Sequence, residues 1–116
     1  MSVYSVSDVN AIFNVSAVVV GSTVTFGCHV NNSEKFMWDW ESKHVVYGKN
    51  RLVQKFAERH SVINASEKTH LTIKNIEHCD AGFYRCILVS NNLEIRCKFL
   101  LITFGKYSTC MFAQGN

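Results

Sequence analysis

The chain has 116 residues, 47 % of them apolar and 18 % charged, with a net charge of +3 and a pI near 8.6. That length suits one domain with one core, and the mixture is unlike the charge-rich, aromatic-poor composition of a disordered chain. Lys and Arg are scattered and no run of them tracks a phosphate backbone, which argues against nucleic acid. The longest apolar stretches, Ala17-Val18-Val19-Val20 and Phe99-Leu100-Leu101-Ile102, fall far short of the ~20 residues of a membrane span.

In chain order, the apolar pattern is mostly period two in short runs, which is the signature of an all-β domain. Residues 22–30 read as a strand with Val24, Phe26 and Cys28 on one face and Thr23, Thr25 and Gly27 on the other, stopped by Asn31-Asn32-Ser33. Residues 35–41 set Phe36, Trp38 and Trp40 against Lys35, Met37, Asp39 and Glu41, as a central strand does. Residues 44–47 and 52–56 read as short strands around Gly48-Lys49-Asn50, followed by strands at 59–63 and 70–76. Runs 83–90 and 93–104 flank Asn91-Asn92, a pair that tolerates positive φ and suits a tight hairpin. Proline is absent, so turn signals fall to Asn, Gly, Ser and Lys. About eight strands at regular spacing, with no useful helical segment, predict a two-sheet sandwich.

Five cysteines in so short a chain favour an oxidising compartment, and Asn-x-Ser acceptors at Asn14, Asn31 and Asn64 point the same way, to a glycosylated extracellular or cell-surface molecule. No cleavable leader is visible, so Met1 reads as an added start residue on a mature ectodomain.

The segment Leu71-Thr72-Ile73, followed by Asp80-Ala81-Gly82-Phe83-Tyr84-Arg85-Cys86, resembles the strand E to strand F signature of immunoglobulin domains. Gly21-Ser22-Thr23-Val24-Thr25-Phe26-Gly27-Cys28 is similar to their strand B. The resemblance covers roughly residues 15–104 and implies an all-β, two-sheet antiparallel Greek-key sandwich. It further implies an inter-sheet disulfide between Cys28 and Cys86, a corner tyrosine at Tyr84, and an ion pair between Arg59 and Asp80. Loss of either of those cysteines is expected to cost roughly 2–5 kcal/mol. Trp38 and Trp40 both qualify as the tryptophan that packs on the disulfide, and spacing favours Trp40. Variable-like and intermediate-type frames both fit. Within the family, the run from Phe36 through Tyr47 resembles lymphocyte adhesion receptors of the signalling lymphocyte activation type, or viral mimics of them.

Cys79, Cys97 and Cys110 have no counterpart in that signature. Cys79 lies at the turn between strands E and F, near the end of strand G that Cys110 follows, so a Cys79–Cys110 staple is geometrically open; a free or intermolecular Cys110 is the other reading. A two-residue turn at Asn91-Asn92 would set Cys97 opposite Cys86, as a buried free thiol. The domain is expected over residues 1–106, with 107–116 as a tail or the start of a stalk.

No catalytic machinery is expected. His29, His44, His60, His70 and His78 have no zinc-type spacing, the glycines form no phosphate loop, and no metal or cofactor is anticipated. What is left is a surface. With Tyr84, Cys86 and Leu88 inward, strand F turns Phe83, Arg85, Ile87 and Val89 outward, strand G Glu94, Arg96 and Lys98, and strand C Lys35, Met37, Asp39 and Glu41. Val46 and Tyr47 on strand C′ extend this patch, though the alternation there is too short to choose between them. Mixed Arg, Met and aliphatic groups suit a protein interface. The expected binding residues are therefore Met37, Asp39, Tyr47, Arg85, Ile87, Val89, Glu94, Arg96 and Lys98. The expected partner is a cell-surface protein, an immunoglobulin-like domain among the candidates, in adhesion or immune modulation. The competing readings are a structural spacer or homotypic assembly module forming a homodimer, and carbohydrate binding by the same face.

Overall fold

The period-two runs become nine strands in the structure, a computed structural model that describes residues 13–90 and 92–106. They are β1 (Asn14–Val19), β2 (Val24–His29), β3 (Phe36–Trp40), β4 (His44–Gly48), β5 (Arg51–Leu52), β6 (His60–Ala65), β7 (Lys68–Ile73), β8 (Gly82–Val89) and β9 (Leu93–Phe104). One sheet has the order β1-β9-β8-β3-β4-β5 and the other β2-β7-β6. All pairings are antiparallel except β1 with β9, which run parallel from Asn14↔Phe99 to Val19↔Phe104. This first strand falls where the sequence suggested only an apolar stretch, 17–20, and a glycosylation acceptor at Asn14.

The strand expected at 52–56 is corrected. Pairing stops at Leu52, and Gln54–Phe56 form a 3-10 turn. Regular alternation would put Leu52, Gln54 and Phe56 on one face; the turn leaves Gln54 exposed while Phe56 enters the core at 2 % exposure.

Without proline, the tight turns depend on left-handed residues. Lys49-Asn50 and Ser66-Glu67 all have positive φ and close two-residue hairpins, the geometry that matches strand twist. The core between the sheets comprises Phe26, Leu71 and Ile73 from one sheet and Trp38, Val46, Tyr84, Phe99 and Leu101 from the other. Trp38, not Trp40, is the central tryptophan. It is fully buried and its Nε1 donates to Thr69 Oγ1 at 3.1 Å; Thr69 is the β7 partner of Cys28. Trp40 is half-buried, donates to Ala81 O and stacks on His44.

The inter-sheet disulfide joins Cys28 to Cys97, with a Cα–Cα distance of 6.0 Å, and Cys86 is the buried free thiol. This corrects the expected Cys28–Cys86 pair and inverts the roles of Cys86 and Cys97. Cys86 and Cys97 are cross-strand partners, but not through the expected two-residue turn: Val89, not Ser90, pairs with Leu93, and a register shift between Cys86 and Ile87 offsets the longer connection, so two inward sulfurs face Cys28 and spacing alone cannot choose between them. Burial pushes the Cys86 thiol up to about 12, so it stays protonated and unreactive. Cys79 is disulfide-bonded; Cys110, its expected partner, and the tail from 107 lie outside the described residues.

At the end of the sandwich, Arg59 grips the fully buried Asp80 with Nη1 at 2.8 Å and Nη2 at 2.9 Å. Arg59 Nη1 also donates to the carbonyls of Lys74 and Asn75. Tyr84 Oη donates to the Asp80 carbonyl at 2.5 Å, which is the corner role expected of it. The carboxylate of Asp80, hydrogen-bonded by this guanidinium, raises the Arg59 pKa further, so the guanidinium stays charged.

Candidate functional site

The two outer faces differ in chemistry. On the three-stranded sheet, Thr25, His29, His70, Thr72 and Ser61 alternate outward, and the Thr25 and Thr72 hydroxyls meet at 2.9 Å. That is a solvated surface. With Ile63 as the exception, every exposed large hydrophobic side chain among the described residues lies in or beside the six-stranded sheet: Val15, Val19, Val45, Val53, Val89, Leu93, Ile95, Ile102 and Phe104. The exposed apolar surface of the described residues is thus concentrated on one of the two sheets.

Two one-residue offsets decide what that face presents. On β8 and β9 the register shifts between Cys86 and Ile87, so that Cys86 faces Cys97 but Ile87 faces Ile95 and Val89 faces Leu93. Because strand side chains alternate, this bulge exchanges the outward residues beyond it. Leu93 and Ile95 therefore stand on the outer face where Glu94 and Arg96 were expected. Arg96 instead bonds the His29 carbonyl at 3.0 Å and Glu34 at 3.2 Å, with Glu94 beside it at 3.7 Å, and clamps the turn after β2. On β3 and β4 the shift falls between Trp38 and Asp39: Tyr47 pairs with Trp38, Val45 with Asp39, and Val46 is the extra residue. Tyr47 and Val46 are consequently both buried, Tyr47 stacking on Phe36 with centroids 5.6 Å apart. Val45 takes the outward place.

The remaining expected residues keep their places with altered exposure. Met37 lies beside Ile87, which is outward but covered to 2 % exposure by its neighbours. Asp39 is 3 % exposed because Arg85 lies over it with two bonds, Nε–Oδ1 3.0 Å and Nη2–Oδ2 2.6 Å. This bidentate pair raises the Arg85 pKa and leaves the centre of the face electrically matched. Val89 is exposed, and Lys98 lies 4.7 Å from the Phe83 ring centroid, a cation–π contact.

The result is an apolar row across four strands, Ile95, Ile87, Met37 and Gly48. A Cβ added at Gly48 would lie 3.3 Å from Val45 Cγ1 and 3.9 Å from Met37 Cβ. The row ends in an open groove of about 930 Å³, whose lining includes Met37, Val45, Gly48, Val53 and Val89. Lys35, Lys49 and Arg51 also line it, and no acidic residue among the described residues does. Asn14, Asn31 and Asn64 are exposed, and Asn64 Nδ2 donates to Tyr47 Oη at 3.3 Å. Among the described residues no cluster of three His, Cys, Asp or Glu side chains is placed to hold a metal ion, and no helix is long and apolar enough to cross a membrane.

Solved structures with the same architecture include the IG1 domain of Dpr1, determined bound to DIP-eta IG1. It is 19 % identical with a TM-score of 0.69, the match covering 82 % of this chain and 92 % of that one. The Ig1 domain of mouse SynCAM 2 is 22 % identical with a TM-score of 0.66, over 80 % of this chain and 92 % of that one. A ZIG-8–RIG-5 IG1–IG1 heterodimer supplies a third, at 18 % identity and a TM-score of 0.65, over 83 % and 86 %. No curated protein matches by sequence. The model of the immunoglobulin I-set domain matches residues 8–101, and with most of its length so matched and both sheets in place, the chain belongs to the immunoglobulin I-set family.

Proposed function

We propose that this chain is an extracellular recognition domain that binds a second immunoglobulin-like domain, on a cell-surface protein, through the outer face of its six-stranded sheet. The observation that carries the proposal is the apolar row Ile95–Ile87–Met37–Gly48 with exposed Val89 and Leu93 beside it, on a sheet whose counterpart across the sandwich is polar. An apolar row, open to solvent at Ile95, beside a matched Asp39–Arg85 pair has the composition of an interface core. The similar Dpr1 and ZIG-8–RIG-5 domains were solved in complexes between immunoglobulin domains, which supports the same class of partner here. Recognition needs no reacting group, and none of the expected binding residues is assigned one.

The test is a screen of the multimerised domain against a panel of cell-surface ectodomains, with Ile95→Asp run in parallel. Ile95 is half exposed, so the variant places a charge on the face without burying it; Ile87, at 2 % exposure, would bury the carboxylate and threaten the fold. A partner bound by the parent and lost by Ile95→Asp, with the variant's unfolding midpoint unchanged, is the expected result. Full binding by the variant would refute the assignment of the face.

A further inference from the structure

The groove beside the apolar row has a chemistry of its own. Its floor is Met37, Val45, Gly48, Val53 and Val89. Three exposed cations line it: Lys35 before β3, Lys49 in the β4–β5 turn and Arg51 at the start of β5. Among the described residues none of the three is ion-paired, in contrast to Arg59, Arg85 and Arg96, each of which has a carboxylate. The Lys49-Asn50 turn is a two-residue hairpin with both residues at positive φ (52° and 65°), which holds the Lys49 backbone in a defined place at the mouth.

We infer that this groove receives a partner loop that presents an apolar side chain flanked by carboxylates. The inference rests on the proposed use of this face and specifies the chemistry of what the face binds. The floor supplies apolar burial, and the uncompensated positive rim supplies attraction and register for acidic neighbours on either side of the inserted side chain. A second copy of the chain is a poor occupant. Among the described residues, the carboxylates of its own outer sheet face are Asp39, already held by Arg85, and Glu41, already accepting from the Phe83 amide at 2.6 Å, so that face has none free to meet three cations. Contact between identical faces would therefore leave the rim charges unmatched, and the expected pairing is heterophilic.

The probe is a cyclic β-hairpin peptide with Glu-Leu-Glu at its tip, titrated into the isotopically labelled domain and followed by backbone amide shifts. A Lys-Leu-Lys version and 3′-sialyllactose are titrated separately. The expected result is saturable shifts at Met37, Gly48, Arg51 and Val89 with the acidic peptide, none with the basic one, and at least about tenfold weaker binding by the Lys49→Glu/Arg51→Glu variant, because two favourable contacts become repulsive. Equal shifts from both peptides, or none from either, overturn the inference. So do shifts at the same amides from the sugar alone, which would assign a glycan carboxylate in place of a protein loop. The face reading is tested separately by Ile95→Asp in the ectodomain screen. Ectodomain binding lost in that variant, with a silent acidic peptide, rejects the groove chemistry and leaves the face; binding retained by Ile95→Asp rejects both.

Discussion

Replacing Cys97 with alanine should cost much less than replacing Cys28, although the two are bonded to each other. The Cys28–Cys97 bond has a sequence separation of 69. Closing a loop of that length in the unfolded chain removes on the order of 15 cal/mol/K of entropy, or about 4 kcal/mol at 25 °C. Cys28→Ala forfeits that stabilisation with no replacement. In Cys97→Ala, Cys86 lies at the adjacent cross-strand position, buried on the same side of the sheet, and a Cys28–Cys86 bridge closes a loop only slightly shorter. Loop-closure entropy depends on the logarithm of length, so almost all of the stabilisation returns. Cys86→Ala alone loses only a buried sulfur, about 1 kcal/mol. The double variant Cys86→Ala/Cys97→Ala should fall to the level of Cys28→Ala. Urea midpoints at constant slope give the ranking, and peptide mapping by mass spectrometry under acid quench identifies the bridge in each protein. The reasoning fails if the parent yields a Cys28–Cys86 peptide, Cys86→Ala costs as much as Cys28→Ala, and Cys97→Ala is silent.

Four further outcomes follow from individual contacts. Arg59→Met leaves the fully buried Asp80 without its bidentate partner, and a loss of about 3–5 kcal/mol in chemical denaturation is expected. Burial lowers the His60 pKa to about 4, with Asp80 opposing the shift. Because the folded value lies below the unfolded 6.5, the unfolded state binds the proton first. Stability should be full above pH 6.5 and decline by about 1.4 kcal/mol per pH unit between 6.5 and 4. Denaturation curves of parent and His60→Gln over that range should show the slope in the parent alone, once the common carboxylate contribution is subtracted. Gly82→Ala should destabilise by about 2 kcal/mol or more, since φ is +131° and the new Cβ would overlap the Glu41 carboxylate and approach the Trp40 indole; Glu41→Ala should relieve part of that loss in a double-mutant cycle. Expression through a secretory pathway should add glycans at the exposed Asn14, Asn31 and Asn64, read as mass increments removed by an amidase; unmodified asparagines at all three would count against the extracellular assignment.

What the sequence made legible was local. Asp80, Gly82 and Tyr84 lie within one short turn and strand, so their spacing carries their geometry, and the Arg59–Asp80 pair followed from the resemblance. The strand pattern was legible wherever one face is buried and the other wet, as in β2 and β7. It failed where the register slips. A β-bulge adds a residue on one strand without changing its composition, so the parity argument that placed Cys86 correctly inverted Glu94 and Arg96, and the alternation of β4 could not show that Val46 and Tyr47 are both covered. β1 was missed because its outward residues are as apolar as its inward ones, which erases the period-two signal. The choice between Cys86 and Cys97 was beyond spacing for a different reason: opposite residues of one ladder face the same way, so both sulfurs point at the facing sheet.

The parallel pairing of β1 with β9 and the position of the disulfide together set how the domain would respond to tension. A covalent ring runs from Cys28 through the chain to Cys97, and it contains all of β3 to β8. Of the strands, only β1, the first part of β2 and the segment of β9 beyond Cys97 lie outside it. Opposed tension applied at Asn14 and Phe104 loads the six Asn14–Val19 pairings along the strand axis, where they must slide together and cannot open one at a time. Once they yield, the ring caps the extension. A domain so built can lose its first strand under load while the sheet carrying its apolar row stays closed, and single-molecule extension with and without reductant would show the cap as a difference in contour length.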